Sequence, residues 1–217
     1  GGKDSALALH RLQQRDDMTV DHLLTTVSSE HDRVSIHGVR RELLERQAEA
    51  LDLPLHVVEL PAGYSNEDYD RRMMAYLDRQ DVSAVVYADI FLEDVRRNRE
   101  EKLQETGMDG VWPLWGEDTA QLARAFIDAG FEATLVCVDA DRLDRSFAGR
   151  RYDRALLEAL PEDVDPCGED GAFHTFVHGG PPFQRPLTVE RGAVVTRDVA
   201  EGAHHYCDLR PGRGGGG

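Results

Sequence analysis

The sequence predicts an α/β protein: a parallel sheet wrapped by helices, followed by a smaller mixed α/β lobe. Three observations predict it. Short β-rich runs alternate with helix-periodic segments through the first half, the rhythm of βαβ units. Beyond Pro161 the chain turns rich in Gly and Pro and keeps only short β pieces. The 217 residues, 41% hydrophobic and 30% charged, suffice for one domain or a domain with a lobe.

The elements follow in order. Ala6-Leu7-Ala8-Leu9-His10-Arg11-Leu12 has helical periodicity, and 22–27 reads as a strand. Residues 39–51 form a helix with Val39, Leu43, Leu44, Ala48 and Leu51 on one face. A second strand, 55–60, is entered through Pro54; a helix over 65–79, a third strand at 84–87 and a helix over 94–106 ended by Gly107 come next. Trp112-Pro113-Leu114-Trp115-Gly116 makes an aromatic turn in which both tryptophans pack the lobe. Glu117-Asp118-Thr119 supplies N-cap chemistry for a helix over 120–129, and 133–138 is a strand. Short β pieces are expected around 173–177, 187–190, 193–196 and 205–209, with His204 and His205 on the surface in a turn. Residues 214–217, all glycine, read as a flexible tail.

Composition excludes several classes. Net charge is −16, from 41 acidic and 25 basic residues, so a nucleic-acid partner would be repelled. Lys3 and Lys102 are the only lysines, which makes the place of Lys3 in an opening loop conspicuous. No run of about 18 apolar residues is present to span a membrane. Cys137, Cys167 and Cys207, an odd number without close spacing, argue against a disulfide scaffold and for a reducing cytoplasm. Cys167, His174, His178 and Cys207 have the ligand types of a zinc site but no close cysteine pair, which weighs against one.

The opening Gly1-Gly2-Lys3-Asp4-Ser5 carries the chemistry. A glycine pair lets backbone approach a ligand, and the first helical turn behind it has unpaired N–H groups. With a lysine and a serine hydroxyl added, the loop is a cradle for phosphate. It is not a Walker A loop, whose lysine follows four spacer residues and a second glycine. It resembles the PP-loop of the ATP pyrophosphatases, which split ATP into AMP and pyrophosphate, and implies a Rossmann-like, HUP-type nucleotide-binding domain. Such a loop is fed by a buried strand, so the first strand is expected to be missing from the chain as given.

Further segments narrow the resemblance. Asp89-Ile90-Phe91-Leu92-Glu93-Asp94 follows the third strand, with Arg96, Arg99, Glu100 and Glu101 downstream; Pro113-Leu114-Trp115 lies between the halves. Late in the chain comes Asp165-Pro166-Cys167-Gly168-Glu169-Asp170-Gly171-Ala172-Phe173-His174-Thr175-Phe176-Val177, then Gly180-Pro181. In order and spacing, over essentially the whole chain, these resemble the diphthine–ammonia ligase family. The resemblance implies a PP-loop ATP-binding domain at 1–110, a mixed α/β substrate and ammonia lobe at 111–213, and an enzyme that activates a carboxylate as an acyl-adenylate and amidates it with ammonia.

The implied cofactors are ATP and Mg²⁺; the implied partners are ammonia and a carboxylate acceptor, either a small molecule or a modified protein side chain, with no nucleic acid and no membrane. A homo-oligomer is compatible with the sequence. Gly1 and Gly2 would cradle phosphate with backbone, Lys3 would meet its charge, and Ser5 would donate a hydroxyl hydrogen bond. Asp4 would shape the loop or meet the metal, with Asp89 as a second metal or nucleotide ligand. Ser28 and Ser29 would lie at the adenine or ribose edge, and Arg96 and Arg99 would face pyrophosphate. Glu169 and His174 would bind ammonium, take its proton and orient the acyl group. The chain departs from the family pattern at Ala172, where glutamate is usual: Glu169 or Asp170 then carries that role, or the acceptor chemistry differs. The alternatives are a nucleotide-binding sensor without turnover and a PP-loop enzyme with another small-molecule acceptor.

Overall fold

The protein is described from a computed structural model covering residues 1–34, 37–199 and 202–212, so the tail expected at 214–217 lies outside the described residues. Its elements are α1 (Lys3–Leu12), β1 (Leu23–Ser28), β2 (Arg33–Val34), α2 (Arg41–Ala50), β3 (Leu55–Leu60), α3 (Asn66–Leu77), β4 (Ala84–Val86), α4 (Glu93–Leu103), β5 (Asp109–Val111), α5 (Thr119–Asp128), β6 (Glu132–Asp139), α6 (Arg154–Ala159), β7 (Phe173–Gly179), β8 (Val189–Val199) and β9 (Gly202–Pro211), with a 3₁₀ turn at Arg145–Phe147.

Parallel pairing is divided between two sheets. β1 runs parallel to β3 from Leu23 opposite Leu55 to Ser28 opposite Leu60, and β2 adds a short antiparallel edge at Val27 and Ser28. β4 pairs in parallel with β5. Leu23, Leu24 and Thr25 of β1 and Ala84, Val85 and Val86 of β4 line a common cavity of about 400 Å³, together with Ala8, Leu9 and Leu12 of α1. The third sheet is antiparallel, in the order β7-β6-β9-β8. Its central strand β6 is buried from Ala133 to Val138, as a strand covered on both faces must be.

Local chemistry sets the ends. Ser65 caps α3 by accepting from the Asp68 amide while Asp68 accepts from the Ser65 amide, a reciprocal capping box. Asp118 caps α5 and Asp153 caps α6 in the same way from one side. Gly107 follows α4 with φ +72°, a conformation that costs glycine nothing. The pieces at 187–190 and 193–196 are one strand, β8, because pairing along β9 continues across a register shift between Arg191 and Val194. The surface turn expected for His204 and His205 is corrected: both lie within β9, and strand alternation turns His204 inward to 4% exposure.

One hydrophobic cluster joins both halves. It runs from Ala6, Leu7, Leu43 and Leu44 through Leu114 and Phe126 to Leu135, Phe173 and Phe176. β5 crosses the line drawn at residue 110 and pairs back onto β4. A charged clamp ties the segment after β1 to β9: Asp208 accepts from Arg33 at 2.8 Å, from Arg40 at 2.8 and 2.9 Å, and from Arg210 at 3.0 Å. The Arg40 contact first, against a smaller burial effect and with Arg33 and Arg210 helping, holds the Asp208 carboxyl well below the usual carboxylate range. A depressed carboxylate stabilises the fold above its unfolded value and loses that contribution as pH falls. Asp208→Asn should therefore cost about 1–3 kcal/mol in urea unfolding at pH 7, a deficit that narrows once the pH drops below about 4.

Candidate functional site

The opening loop is held by β7. The Lys3 amide donates to Thr175 Oγ1 at 3.0 Å, and the Val177 amide donates to the Gly1 carbonyl at 3.1 Å. Buried Gln47 of α2 completes the anchor, its amide nitrogen reaching both the Gly1 and the Val177 carbonyls. Gly2 is extended, and a Cβ there would stand 3.3 Å from the Thr175 carbonyl, so the loop lies against the strand where a side chain is crowded out. α1 begins with no side-chain cap. Helix geometry leaves the Gly2, Asp4 and Ser5 amides without intrahelical acceptors, in the place the sequence assigned to phosphate.

Lys3 is 4% exposed, which is rare for an ammonium and requires partners. Its Nζ donates to both carboxylate oxygens of Asp4, at 2.9 and 2.7 Å, and lies over the rings of Phe173 and Tyr152 at 5.6 and 6.0 Å. Burial works against the charge, but Asp4 chiefly, with Cys167 and Glu169 behind it, more than compensates and raises the Lys3 pKa. Ser5, in the same first turn of α1, is exposed.

The late motif arrives from the other half of the chain. Asp165 organises it by accepting from the amides of Cys167 and Glu169 at 2.8 and 3.2 Å. Glu169 then accepts from the Ile90 amide at 2.6 Å, joining residues 79 apart in sequence. Its pKa is raised: burial acts first, opposed by the Ile90 amide, with Asp4 and then Asp89 adding to the rise. Asp170 pairs instead with Arg142 at 2.5 Å, and Ala172 is fully buried, so Glu169 is the carboxylate of this motif that meets the 89–91 segment. Cys167 donates to the Thr119 carbonyl, and burial pushes its thiol up to about 12, which leaves it a poor nucleophile.

The remaining expected residues divide. Asp89 binds Arg99 at 2.9 Å and accepts from Trp112 Nε1 at 3.3 Å. Arg99 lies over Tyr87, which stacks on Trp112; Arg96 sits between the faces of Trp112 and Trp115, at 4.7 and 4.6 Å, and pairs with Glu100. Both arginines thus have internal partners. Ser28 ends β1 and Ser29 is exposed just beyond it, its amide on the Leu60 carbonyl; among the described residues no hydrogen bond joins either to the loop. Among the described residues no group of three or more His, Cys, Asp or Glu is arranged to hold a metal ion by itself.

Sequence reasoning missed Thr175, Gln47 and His37. His37 lies between β2 and α2 and stacks on His174 with ring centroids 4.0 Å apart. No local pattern marks it, because its neighbour is 137 positions away by sequence number.

The raised carboxyl of Glu169 has a stability consequence. A carboxylate whose folded pKa exceeds its unfolded value costs stability wherever it is charged. Glu169→Gln, which keeps an acceptor for the Ile90 amide, should melt at a higher temperature than the parent at pH 7.5, with the gap closing near pH 4.

The sequence profile of the diphthamide synthase N-terminal domain matches residues 1–110, and that of the diphthamide synthase C-terminal domain matches 118–209. A protein named diphthine–ammonia ligase from Schizosaccharomyces pombe is 22% identical over 93% of this chain, which spans only 37% of that relative's length. Proteins of the same name from Bos taurus and Homo sapiens are each 25% identical, over 79% and 77% of this chain and 71% and 70% of their own. A crystal structure described as a predicted subunit of tRNA methyltransferase from Methanocaldococcus jannaschii superposes with a TM-score of 0.44 at 17% identity, covering 83% of this chain and 94% of that one. Two profiles laid end to end account for nearly every residue from the opening loop to β9, and the chain belongs to the diphthamide synthase family.

Proposed function

We propose that the chain is an ATP-dependent amide ligase that forms AMP and pyrophosphate, activating a carboxylate as an acyl-adenylate and amidating it with ammonia. The observation that carries this is the convergence on buried Lys3 of the open first turn of α1 and the 165–177 motif. In the first step a carboxylate oxygen bonds to the α-phosphorus and the bond to pyrophosphate breaks. In the second, ammonia nitrogen bonds to the acyl carbon, the carbon–oxygen bond to AMP breaks, and the nitrogen gives up its excess protons.

Lys3 and the amides of Gly2, Asp4 and Ser5 are assigned to the phosphate charge that builds in the first step; a well-placed donor of this kind contributes on the order of 3 kcal/mol. Mg²⁺ would be held by Asp4 or Asp89 together with nucleotide phosphates, as this ion usually takes one or two carboxylates, and would neutralise charge on the departing group. Glu169 is assigned to ammonium. It shares its surroundings with Asp4 and Asp89, a negative field that favours a cation, and its raised pKa brings it nearer the proton it must take. His174 is a weaker base here, since burial first, with Lys3 among the further causes, keeps it neutral. Residues 1–110 are read as the nucleotide half and 111–213 as the acceptor half.

A nucleotide-binding module without turnover is the second reading, favoured by Ala172 in place of the usual carboxylate. Full chain with ATP, Mg²⁺ and ammonium should yield AMP and pyrophosphate with at least one carboxylate from a screen. Binding of ATP without product under every acceptor would support the module; ADP and orthophosphate would end the ligase reading. Lys3→Ala should lower nucleotide affinity or turnover at least about tenfold, roughly 1.4 kcal/mol.

A further inference from the structure

His37 and His174 stack with their ring planes 17° from parallel. Stacked imidazoles cannot hydrogen-bond to one another, because N–H bonds and lone pairs lie in the ring plane. Among the described residues neither ring has a hydrogen-bond partner of its own. Ring edges without a partner among the described residues are available to the hydrogen bonds of a ligand.

The pair is built in place rather than left loose. His37 precedes Gly38, whose φ is +69° and whose Cβ, were there one, would stand 2.8 Å from the Tyr206 ring. A side chain at that position would therefore push the turn off β9. Arg33 on one side of His37 and Arg40 on the other both bind Asp208, and Arg33 also donates to the Gly38 carbonyl. His174 is fixed by β7, one residue from the Thr175 hydroxyl that accepts from the Lys3 amide.

The surroundings fix the sign of the ligand. Lys3 is the charged side chain whose field reaches both rings, acting on His37 and on His174 alike. Burial first, with Lys3 among the further causes, lowers His37 to about 4 and takes His174 well below its usual value, so both rings are neutral at pH 7. A neutral imidazole keeps one N–H donor, so the pair offers two donors side by side. An anion placed there gains from Lys3, whereas ammonium is repelled.

We propose that the stacked His37–His174 pair is an oxyanion-binding site, in which imidazole N–H groups of the two rings hold an oxygen of a carboxylate or a phosphate ester. Neutral imidazole is suited to this work, since it polarises an oxygen without surrendering its proton. The proposal deepens the ligase reading and rests on it for the role of the bound oxygen, either the acceptor's carboxylate or the α-phosphate. Ammonium is left to the acidic side of the site at Glu169.

The test uses the full chain with ¹⁵N-labelled histidine at pH 7, titrated separately with acetate and with AMP. Without ligand, the ring nitrogens of both histidines should show the neutral pattern. At least one probe should then shift both rings together, acetate marking the carboxylate and AMP the phosphate ester. His37→Phe keeps the stacked face and loses the nitrogens; it should bind the active probe at least fivefold more weakly, and His37→Gln, which restores an N–H donor, should recover part of the loss. The proposal falls if neither probe moves the pair, if folded His37→Phe binds as well as the parent, or if ammonium chloride moves the rings instead. Should His37→Phe not fold, the parent titrations decide alone. A protein that binds acetate at the pair yet forms no pyrophosphate from ATP keeps the oxyanion site and loses the ligase reading.

Discussion

Everything in the site depends on the seating of the first three residues against β7. Val177 and Gln47 hold the Gly1 carbonyl, and Thr175 holds the Lys3 amide. Those bonds put the start of α1 over the late motif, and they oblige a lysine to enter the interior. The cost of burying an ammonium is met by Asp4, which follows it directly and turns back onto it through both oxygens. Without β7 beneath it, the loop would be an uncapped helix start with nothing to oppose it; with β7, Lys3 and Asp4 come within the electrostatic reach of Cys167 and Glu169.

The site is divided by charge. Asp4, Asp89 and Glu169 lie on one side, close enough for the first two to raise the proton affinity of the third. On the other side are the imidazoles of His37, His174 and His204, all within the field of Lys3 or of one another. A reaction that joins a cation-derived nucleophile to an anion-derived electrophile has use for both, provided they are kept apart. Lys3, paired to Asp4 and felt by both sides, marks the boundary. That other side has a single lysine and the neutral rings of His37 and His174 rather than a cluster of arginines, which here are spent on ion pairs such as those of Arg96 and Arg99.

Much of the fold was legible because its signals are local. The 3.6-residue stripe of α2, the Ser65 cap of α3, the Asp118 cap of α5 and the apolar run of β6 each announce an element within a dozen residues. β2, β5 and α6 went unread; two or three residues such as Arg33–Val34 or Asp109–Val111 become strands only because a partner is already there. β8 read as two pieces because Arg191 and Gly192 interrupt the apolar alternation, although the ladder to β9 continues past them. In the site, the opening Gly-Gly-Lys-Asp-Ser loop and the Glu169 motif were legible as strings. The Glu169 bond to Ile90, the retention of Arg96 between two indoles and the His37–His174 stack were not, since each joins positions that only the folded chain makes neighbours.

The scarcity of lysine gives the buried ammonium one last consequence. Of the two side-chain amines in the sequence, Lys102 reaches Asn98 and Asp70 near the surface of α4, while Lys3 is sealed under the loop. Acylating reagents that tag amines will therefore find Lys102 and pass over Lys3 while the fold is intact. Isotopic enrichment of lysine alone yields a two-signal spectrum in which one resonance reports directly from the buried start of α1.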